Sequence, residues 1–434
     1  MKVVIVGAGA IGLCCAYYCA KAGAEVTVLD RRTPGEGAST TNAGWVVPTM
    51  SDPVPSPASV SKALRWLLKA DSPLHVGVSL SPSYLAFLGR MLLASRPGRF
   101  DHGLRATARL NEETRAAYEE LVRDGLDFDL HRDGVLYAFL DARAAAGYIP
   151  HLEAMTEFGN PSPRLVDADR IRVLEPRLGG DVKAGILCPD ERHLDPRRFV
   201  AALVLKCRDM GVEIVDDETI THFECHGDQV TAARGSRQWR GDRFVLAAGL
   251  DSARLAGSVG LDLPMQGGRG YGYDVECAEP LTRRAIYLTD HKVALTPLPG
   301  RLRAAGTMEF GSAHRPVSHT RAWGIVTSTR HYLPAFEPVP DARPWSGMRP
   351  MTPDGLPAIG PASERSNLTV ATGHAMLGIT LAPVTGRAVA ELTTGPRGAP
   401  VPPLLHPFAP TRFRRRPHRP VAPPQPPHLP KEPT

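Results

Sequence analysis

The opening thirty residues constrain this chain most. Val3–Val6 is a short apolar run of strand length, and it meets Gly7-Ala8-Gly9-Ala10-Ile11-Gly12. A helical apolar stretch follows from Ala10 to Ala22, closed by Gly23, and Glu25–Leu29 reads as a second strand ending at Asp30. This is one βαβ unit with a G-x-G-x-x-G turn. Gly7 makes the tight turn, Gly9 lets a pyrophosphate approach the backbone, and Gly12 lets helix and strand pack closely. The helix start presents unpaired N–H groups to phosphate. Asp30 follows Gly12 at the spacing of an acid that accepts ribose hydroxyls, about 20 residues. Such a unit binds a dinucleotide. The motif alone does not separate NAD from FAD. Arg31 and Arg32 would suit a 2′-phosphate, but Asp30 would repel it, so they read as solvated residues beside the cofactor. Cys14, Cys15 and Cys19 sit among apolar neighbours on the helix and read as small core residues.

Charge and composition narrow the partners. The net charge is +6, and Arg414, Arg415, Arg416, Arg419 and Lys431 against Glu432 supply +4 of it. A body that is almost neutral argues against nucleic acid. Proline is abundant, 42 of 434 residues, and eight of those lie past Phe413. Residues 414–434 therefore read as a disordered, proline- and arginine-rich tail. None of the seven cysteines forms C-x-x-C, and Met1 leads directly into a strand. The expectation is a cytoplasmic protein without a leader, and no metal constellation is expected.

Further along, Ser59–Lys69 and Tyr84–Leu93 read as helices, and another is expected to start at Asn111 and stop at Gly125. Asp195-Pro196 opens a helix that ends at Gly211. Strands are expected near 134–140, 212–215 and 244–248. From Tyr271 to Phe310 the pattern becomes short alternating strands, which reads as a mostly antiparallel sheet. A late strand at Thr369–Ala371 precedes a glycine-rich turn and a helix from about Leu381. A parallel opening with an antiparallel insert implies two interleaved domains.

Four blocks carry a resemblance to a known family. They are Val4 to Asp30; Ser39-Thr40-Thr41-Asn42-Ala43-Gly44; Gly347-Met348-Arg349-Pro350-Met351-Thr352-Pro353-Asp354-Gly355; and Thr372-Gly373-His374-Ala375-Met376-Leu377-Gly378-Ile379-Thr380. Together they resemble the D-amino-acid dehydrogenase small-subunit family, within the FAD-dependent D-amino-acid oxidase and glycine oxidase superfamily. The resemblance spans roughly residues 1 to 413. Two departures stand out: Ala375 where the family commonly has glycine, and Arg269 where these dehydrogenases tend to have lysine.

The resemblance implies an α/β fold with an α+β insert: a Rossmann-like FAD-binding domain interleaved with a mostly antiparallel-sheet substrate domain. The expected division is 1–57, 155–260 and 345–413 for the first, and 58–154 and 261–344 for the second. The implied cofactor is non-covalent FAD, since the Gly347–Gly360 block lacks a cysteine. Its expected contacts are Gly7, Gly9, Ala10, Ile11, Gly12, Asp30, Arg31, Thr41, Asn42, Ala43, Gly44, Gly249, Gly373, His374, Met376, Leu377, Gly378, Ile379 and Thr380. His374 is implied as a flavin contact and not as a base, because hydride transfer from a neutral amine needs no strong base.

The implied reaction is oxidative deamination of a D-amino acid: hydride passes from Cα to flavin N5, and the imino acid hydrolyses to a 2-oxo acid and ammonia. Arg349 is the implied carboxylate clamp, a role that suits its planar fork. Tyr271 and Tyr273 are candidates to line the substrate pocket, against the alternative of strand residues facing the core. Arg269 is a candidate for the substrate carboxylate or the flavin, against that of a solvated strand end. The alternatives kept open are a secondary or cyclic amine (hydroxy-D-proline, sarcosine or glycine type), a biosynthetic amine oxidase acting on a modified amino acid, and flavin binding without turnover. The electron acceptor is oxygen or a quinone. The apolar helices around Leu64–Leu68 and Leu85–Leu93 raise a peripheral contact with the inner face of a membrane, against that of packed cover over the pocket.

Overall fold

Lys2–Val6 forms strand β1, Ala10–Lys21 forms helix α1 and Glu25–Leu29 forms strand β2. Val3, Val4 and Ile5 are fully buried because β1 lies inside a parallel sheet, covered on both faces. This computed structural model describes residues 1–57, 74–77, 79, 81–311, 316–339 and 342–414. The helix expected over Ser59–Lys69, and residues 415–434 of the tail, lie outside the described residues.

The first sheet has six strands in the order Ala358–Pro361, Leu368–Thr372, Arg243–Leu246, β1, β2, Glu213–Val215. Neighbours are parallel except for the first pair. Helix α1 and the helix Gly378–Thr394 pack on one face, with Leu13, Cys14, Cys15 and Cys19 fully buried there beside Leu381 and Ala382. The three helix cysteines are core residues, and burial pushes their thiols upward.

The second sheet has nine strands. Its order is Trp345–Met351, Gln266–Glu276, Arg301–Phe310, Val293–Leu298, Ala285–Leu288, Val135–Phe139, Ala184–Cys188, Arg164–Asp167, with Leu74–Val76 beside Arg301–Phe310. Pairing is antiparallel except where Ala285–Leu288 meets Val135–Phe139 and where Arg301–Phe310 meets Leu74–Val76. Helix His319–Arg330 covers one face and buries Ala322, Ile325 and Val326 against Tyr271, Tyr273 and Val275. The α/β opening with a mainly antiparallel insert is the architecture anticipated from the sequence.

Strand pairing crosses the expected domain limits. Arg164–Asp167, Ala184–Cys188 and Trp345–Met351 fall in stretches expected of the nucleotide-binding part, yet they hydrogen-bond into the nine-stranded sheet. Pairing between distant segments leaves no periodicity mark, so the grouping was invisible in sequence. The helix expected from Asn111 also differs. Pro97–Asn111 is a helix that ends there, and Thr114–Arg123 begins a new one. Asn111 turns inward instead, donating from Nδ2 to Ser51 Oγ at 2.9 Å and accepting from Thr114 Oγ1 at 2.9 Å.

Candidate functional site

The carboxyl ends of five parallel strands open into one long cleft with about 1300 Å³ of empty space, open solvent included. Each strand is followed by lining residues: Gly7, Gly9, Ala10 and Ile11 after β1; Asp30 and Arg31 after β2; Glu218, Thr219 and Ile220 after Glu213–Val215; Ala247–Gly249 after Arg243–Leu246; and Gly373–Met376 after Leu368–Thr372. Ligands of open α/β sheets bind at this edge.

The turn after β1 has little freedom. Gly7 sits at φ +113, and a Cβ there would lie 2.3 Å from the Ala247 carbonyl oxygen. Helix α1 has no acidic residue in its first turn, so its positive end stays available to phosphate. The Ala8 N–H donates to Asp30 Oδ2 at 2.7 Å and the Ala10 N–H to Ser39 Oγ at 2.9 Å. Asp30 Oδ1 accepts the Arg32 N–H at 3.0 Å. A carboxylate has about four acceptor sites, so Asp30 retains capacity for ribose hydroxyls. Arg31 pairs with Asp251 at 2.9 Å, and both line the cleft. The pair brings together residues that follow two different strands. A bare glycine turn, a helix start without an acid in its first turn and an acid at the end of β2 fit the adenosine pyrophosphate half of FAD.

Away from that turn the cleft is lined by Thr41, Asn42, Arg349, Pro350 and the Gly373–Met376 turn. Asn42 fastens its own loop: Nδ2 donates to the carbonyls of Ala38 and Ser39, and Oδ1 accepts the Gly44 N–H at 2.7 Å. His374 is 3% exposed and its Nε2 lies 3.0 Å from Thr385 Oγ1. Burial pushes its imidazole down to about 3, so it is neutral at physiological pH and a poor base. Gly378 and Ile379 line the cleft at the start of the last long helix, whose first turn also lacks an acid. Asp354 braces a turn, gripped by the Arg412 fork at 2.8 and 3.0 Å.

Arg349 lines the cleft from strand Trp345–Met351. Its Nη1 donates to the Thr307 carbonyl at 2.9 Å. Burial lowers its guanidinium to about 10, which leaves it cationic at neutral pH. Among the described residues it forms no ion pair with a carboxylate. A desolvated cation that faces a cleft, with no carboxylate partner among the described residues, can receive an anion.

The expected partners of Arg349 lie elsewhere. Tyr271 is fully buried and its OH donates to Glu309 Oε2 at 2.6 Å. Tyr273 meets the Trp323 ring edge-on at 6.3 Å. Arg269 donates from Nη1 to the Pro316 carbonyl at 3.1 Å. None of the three lines the cleft, and the pocket role expected for them is corrected. Alternation decides it. Tyr271, Tyr273 and Val275 share the face that packs on helix His319–Arg330. Three of the even positions, Gly268, Gly270 and Gly272, lie against Met308, the Arg349 guanidinium and the Trp345 ring. The bare glycine face was the available signal for the site side.

Five expected cofactor contacts also have other positions. Gly12 packs so tightly that a Cβ would lie 1.8 Å from the Gly7 carbonyl oxygen. Ala43 packs beside Trp45, and Leu377 packs against the α1 core. Gly44 lies under the Leu194 carbonyl. Thr380 Oγ1 accepts from Val47 N–H and donates to the Trp45 carbonyl, tying that segment to the helix. None of these lines the cleft. Ser39, Glu218–Ile220 and Asp251 line the cleft without being expected there. Ser39 lies inside the Ser39–Gly44 segment; the others depend on the order of strands.

The FAD dependent oxidoreductase family matches residues 2–392. The D-amino acid dehydrogenase of Paramagnetospirillum magneticum is 34% identical over 405 residues, covering 91% of this chain and 95% of that protein. The D-amino acid dehydrogenase of Methylobacterium radiotolerans is 33% identical over 405 residues, covering 91% and 96%. Among solved structures, glycine oxidase from Geobacillus kaustophilus is similar at a TM-score of 0.73 and 25% identity, covering 95% of this chain and 100% of that one.

Proposed function

The chain belongs to the FAD dependent oxidoreductase family, and we propose that its substrate is a D-amino acid, oxidised at Cα to the imino acid. FAD is its cofactor, and when bound it supplies the two-electron acceptor for the Cα hydride. The amine nitrogen contributes its lone pair to the new C=N bond and releases a proton. Water then hydrolyses the imine to a 2-oxo acid and ammonia. The observation that carries this reading is Arg349, half-buried, cationic and without a carboxylate partner among the described residues. A substrate carboxylate would neutralise it, and two parallel hydrogen bonds would fix the rotation of Cα. The 34% identical D-amino acid dehydrogenase supports the D configuration.

The same clamp would hold the carboxylate of glycine or a secondary amine, and the glycine oxidase likeness favours that second reading. Anaerobic mixing with D-amino acids, their L enantiomers, glycine and sarcosine separates the two. Bleaching of the flavin by D-amino acids and not by L enantiomers supports the first reading; bleaching by glycine and sarcosine alone supports the second. No bleaching by any of them rejects both.

FAD is read as dissociable, since no cysteine lines the cleft among the described residues. Acid precipitation should leave the yellow colour in the supernatant. The acceptor is oxygen or a quinone, distinguished by comparing peroxide yield with quinone reduction. Among the described residues no helix is long and apolar enough to cross a membrane. Leu85, Leu92 and Leu93 stand exposed on helix Pro82–Ala94, which supports a peripheral membrane contact. Co-sedimentation with anionic vesicles tests it.

A further inference from the structure

Arg349 sits on the backbone of the neighbouring strand, where its register partner is Gly268. Its guanidinium lies over Gly270. A Cβ added there would stand 2.3 Å from Nη1, 2.5 Å from Nη2 and 2.6 Å from Cζ. No residue with a side chain leaves room for that placement. The Nη1 bond to the Thr307 carbonyl, at 2.9 Å, anchors one corner of the fork.

Thr307 has a backbone to match. Its φ is +62, an outlier for a β-branched residue. The pairing of Gln266–Glu276 with Arg301–Phe310 slips at this point: Arg269 pairs with Glu309, but Tyr271 pairs with Gly306. Thr307 lies within the slip, and a bulge of this kind can turn a carbonyl out of the ladder. Thr307 Oγ1 is buried without a hydrogen-bond partner among the described residues. No side-chain bond therefore accounts for the strained backbone; the carbonyl's bond to Arg349 is what it provides.

We propose that Gly270 and Thr307 are positioning residues for substrate recognition. Gly270 is the bare floor under the Arg349 guanidinium, and the Thr307 carbonyl takes one of its donors. Together they set the plane in which the remaining N–H groups meet a substrate carboxylate. This rests on the reading of Arg349 as the carboxylate clamp. Bidentate recognition needs a fixed plane, because a guanidinium free to rotate loses one of its two bonds.

The test uses the FAD-loaded enzyme and its Gly270→Ala, Thr307→Gly, Thr307→Pro and Arg349→Ala variants. Pyruvate is titrated against the flavin absorption spectrum, and KM and kcat are measured with D-alanine. Gly270→Ala should retain FAD and lose about 100-fold in pyruvate affinity, the scale of a broken buried pair, with KM raised far more than kcat is lowered. Thr307→Gly keeps the carbonyl but frees the backbone that aims it, so its pyruvate affinity should fall, by less than Gly270→Ala loses. Thr307→Pro forces φ near −65° and should lose affinity with Gly270→Ala.

Normal pyruvate binding by Gly270→Ala, while Arg349→Ala has lost it, overturns the seat and leaves the clamp. Normal binding by Arg349→Ala overturns the clamp and the seat with it. If Gly270→Ala or Thr307→Pro does not fold, Thr307→Gly decides: wild-type pyruvate affinity in that variant, while Arg349→Ala has lost it, overturns the seat.

Discussion

Arg303 donates from Nη1 to the Asn42 carbonyl at 2.9 Å, reaching from the nine-stranded sheet into the loop that lines the cofactor cleft. Its other two nitrogens hold Asp274 at 2.9 and 2.8 Å, and the Trp345 ring lies 4.9 Å away. The side chain is 1% exposed. Burial alone would push the Asp274 carboxyl up, but the hydrogen bonds and charge of Arg303 outweigh it and hold the group below its ordinary value. Arg301 adds ion pairs to Asp274 and Asp195. The nine-stranded sheet therefore sets where the loop of Ser39, Thr41 and Asn42 stands.

Removing Arg303 should uncouple the loop. Arg303→Met leaves Asp274 without its fork, and breaking a buried pair costs about 3–5 kcal/mol. The melting temperature should fall, and FAD affinity, measured by fluorescence of the released cofactor, should drop at least about tenfold. Wild-type FAD affinity in a folded Arg303→Met would show that the loop holds itself.

Arg349→Lys should behave as a damaged clamp. A lysine keeps the charge but offers no planar fork. KM for the best amino acid should rise by about one to two orders of magnitude, with FAD content unchanged. Steady-state kinetics with a flavin count per protein checks it, and kinetics equal to wild type would remove Arg349 from the substrate site.

Glu191 makes stability depend on pH. It is 1% exposed, its Oε1 accepts the Thr49 N–H at 2.9 Å, and its Oε2 has no partner among the described residues. Burial raises its carboxyl to about 7. An acid whose folded value is raised is stabilised when protonated, so this contribution is full below about 4.3, the unfolded value, and is lost as pH rises through 7. Glu191→Gln should remove that slope. Denaturant unfolding at several pH values from 4.5 to 8 should show wild type losing ground to the variant, by up to roughly 1.4 kcal/mol per unit of raised pKa. A constant difference across the range would count against it.

Ala375 occupies a glycine's backbone. Its φ is +49 in the turn beside His374, and its N–H donates to the Pro350 carbonyl at 3.1 Å. Ala375→Gly should relieve strain and stabilise the protein by about 0.5–1 kcal/mol, less the entropy glycine restores to the unfolded chain. Calorimetry should show a higher melting temperature with FAD content kept; a lower one would mean the alanine methyl packs usefully.

Much of the site was legible because its signals are local. A glycine turn, the strand before it, the helix after it and Asp30 lie within thirty residues, and each follows from backbone geometry that neighbours in sequence impose. Arg349 and His374, which line the cleft, lie in short blocks whose order survives in the chain. Strand faces were less legible. Arg269, Tyr271 and Tyr273 had the right chemistry and the wrong side of the strand. Alternation says which residues share a face, not which face meets the cleft.

By itself, the sequence determined the βαβ unit, the antiparallel character of the insert and the charge balance. Those depend on period, spacing and residue type. Only the tertiary structure decided that five strands end along one cleft, that Gly270 lies under Arg349, and that Arg303 holds the loop at Asn42. Each joins segments that are far apart in sequence, 79 residues for Gly270 and Arg349 and 261 for Arg303 and Asn42. Such contacts arise when buried faces and unpaired charges find partners during packing, and no local pattern records which partner they find.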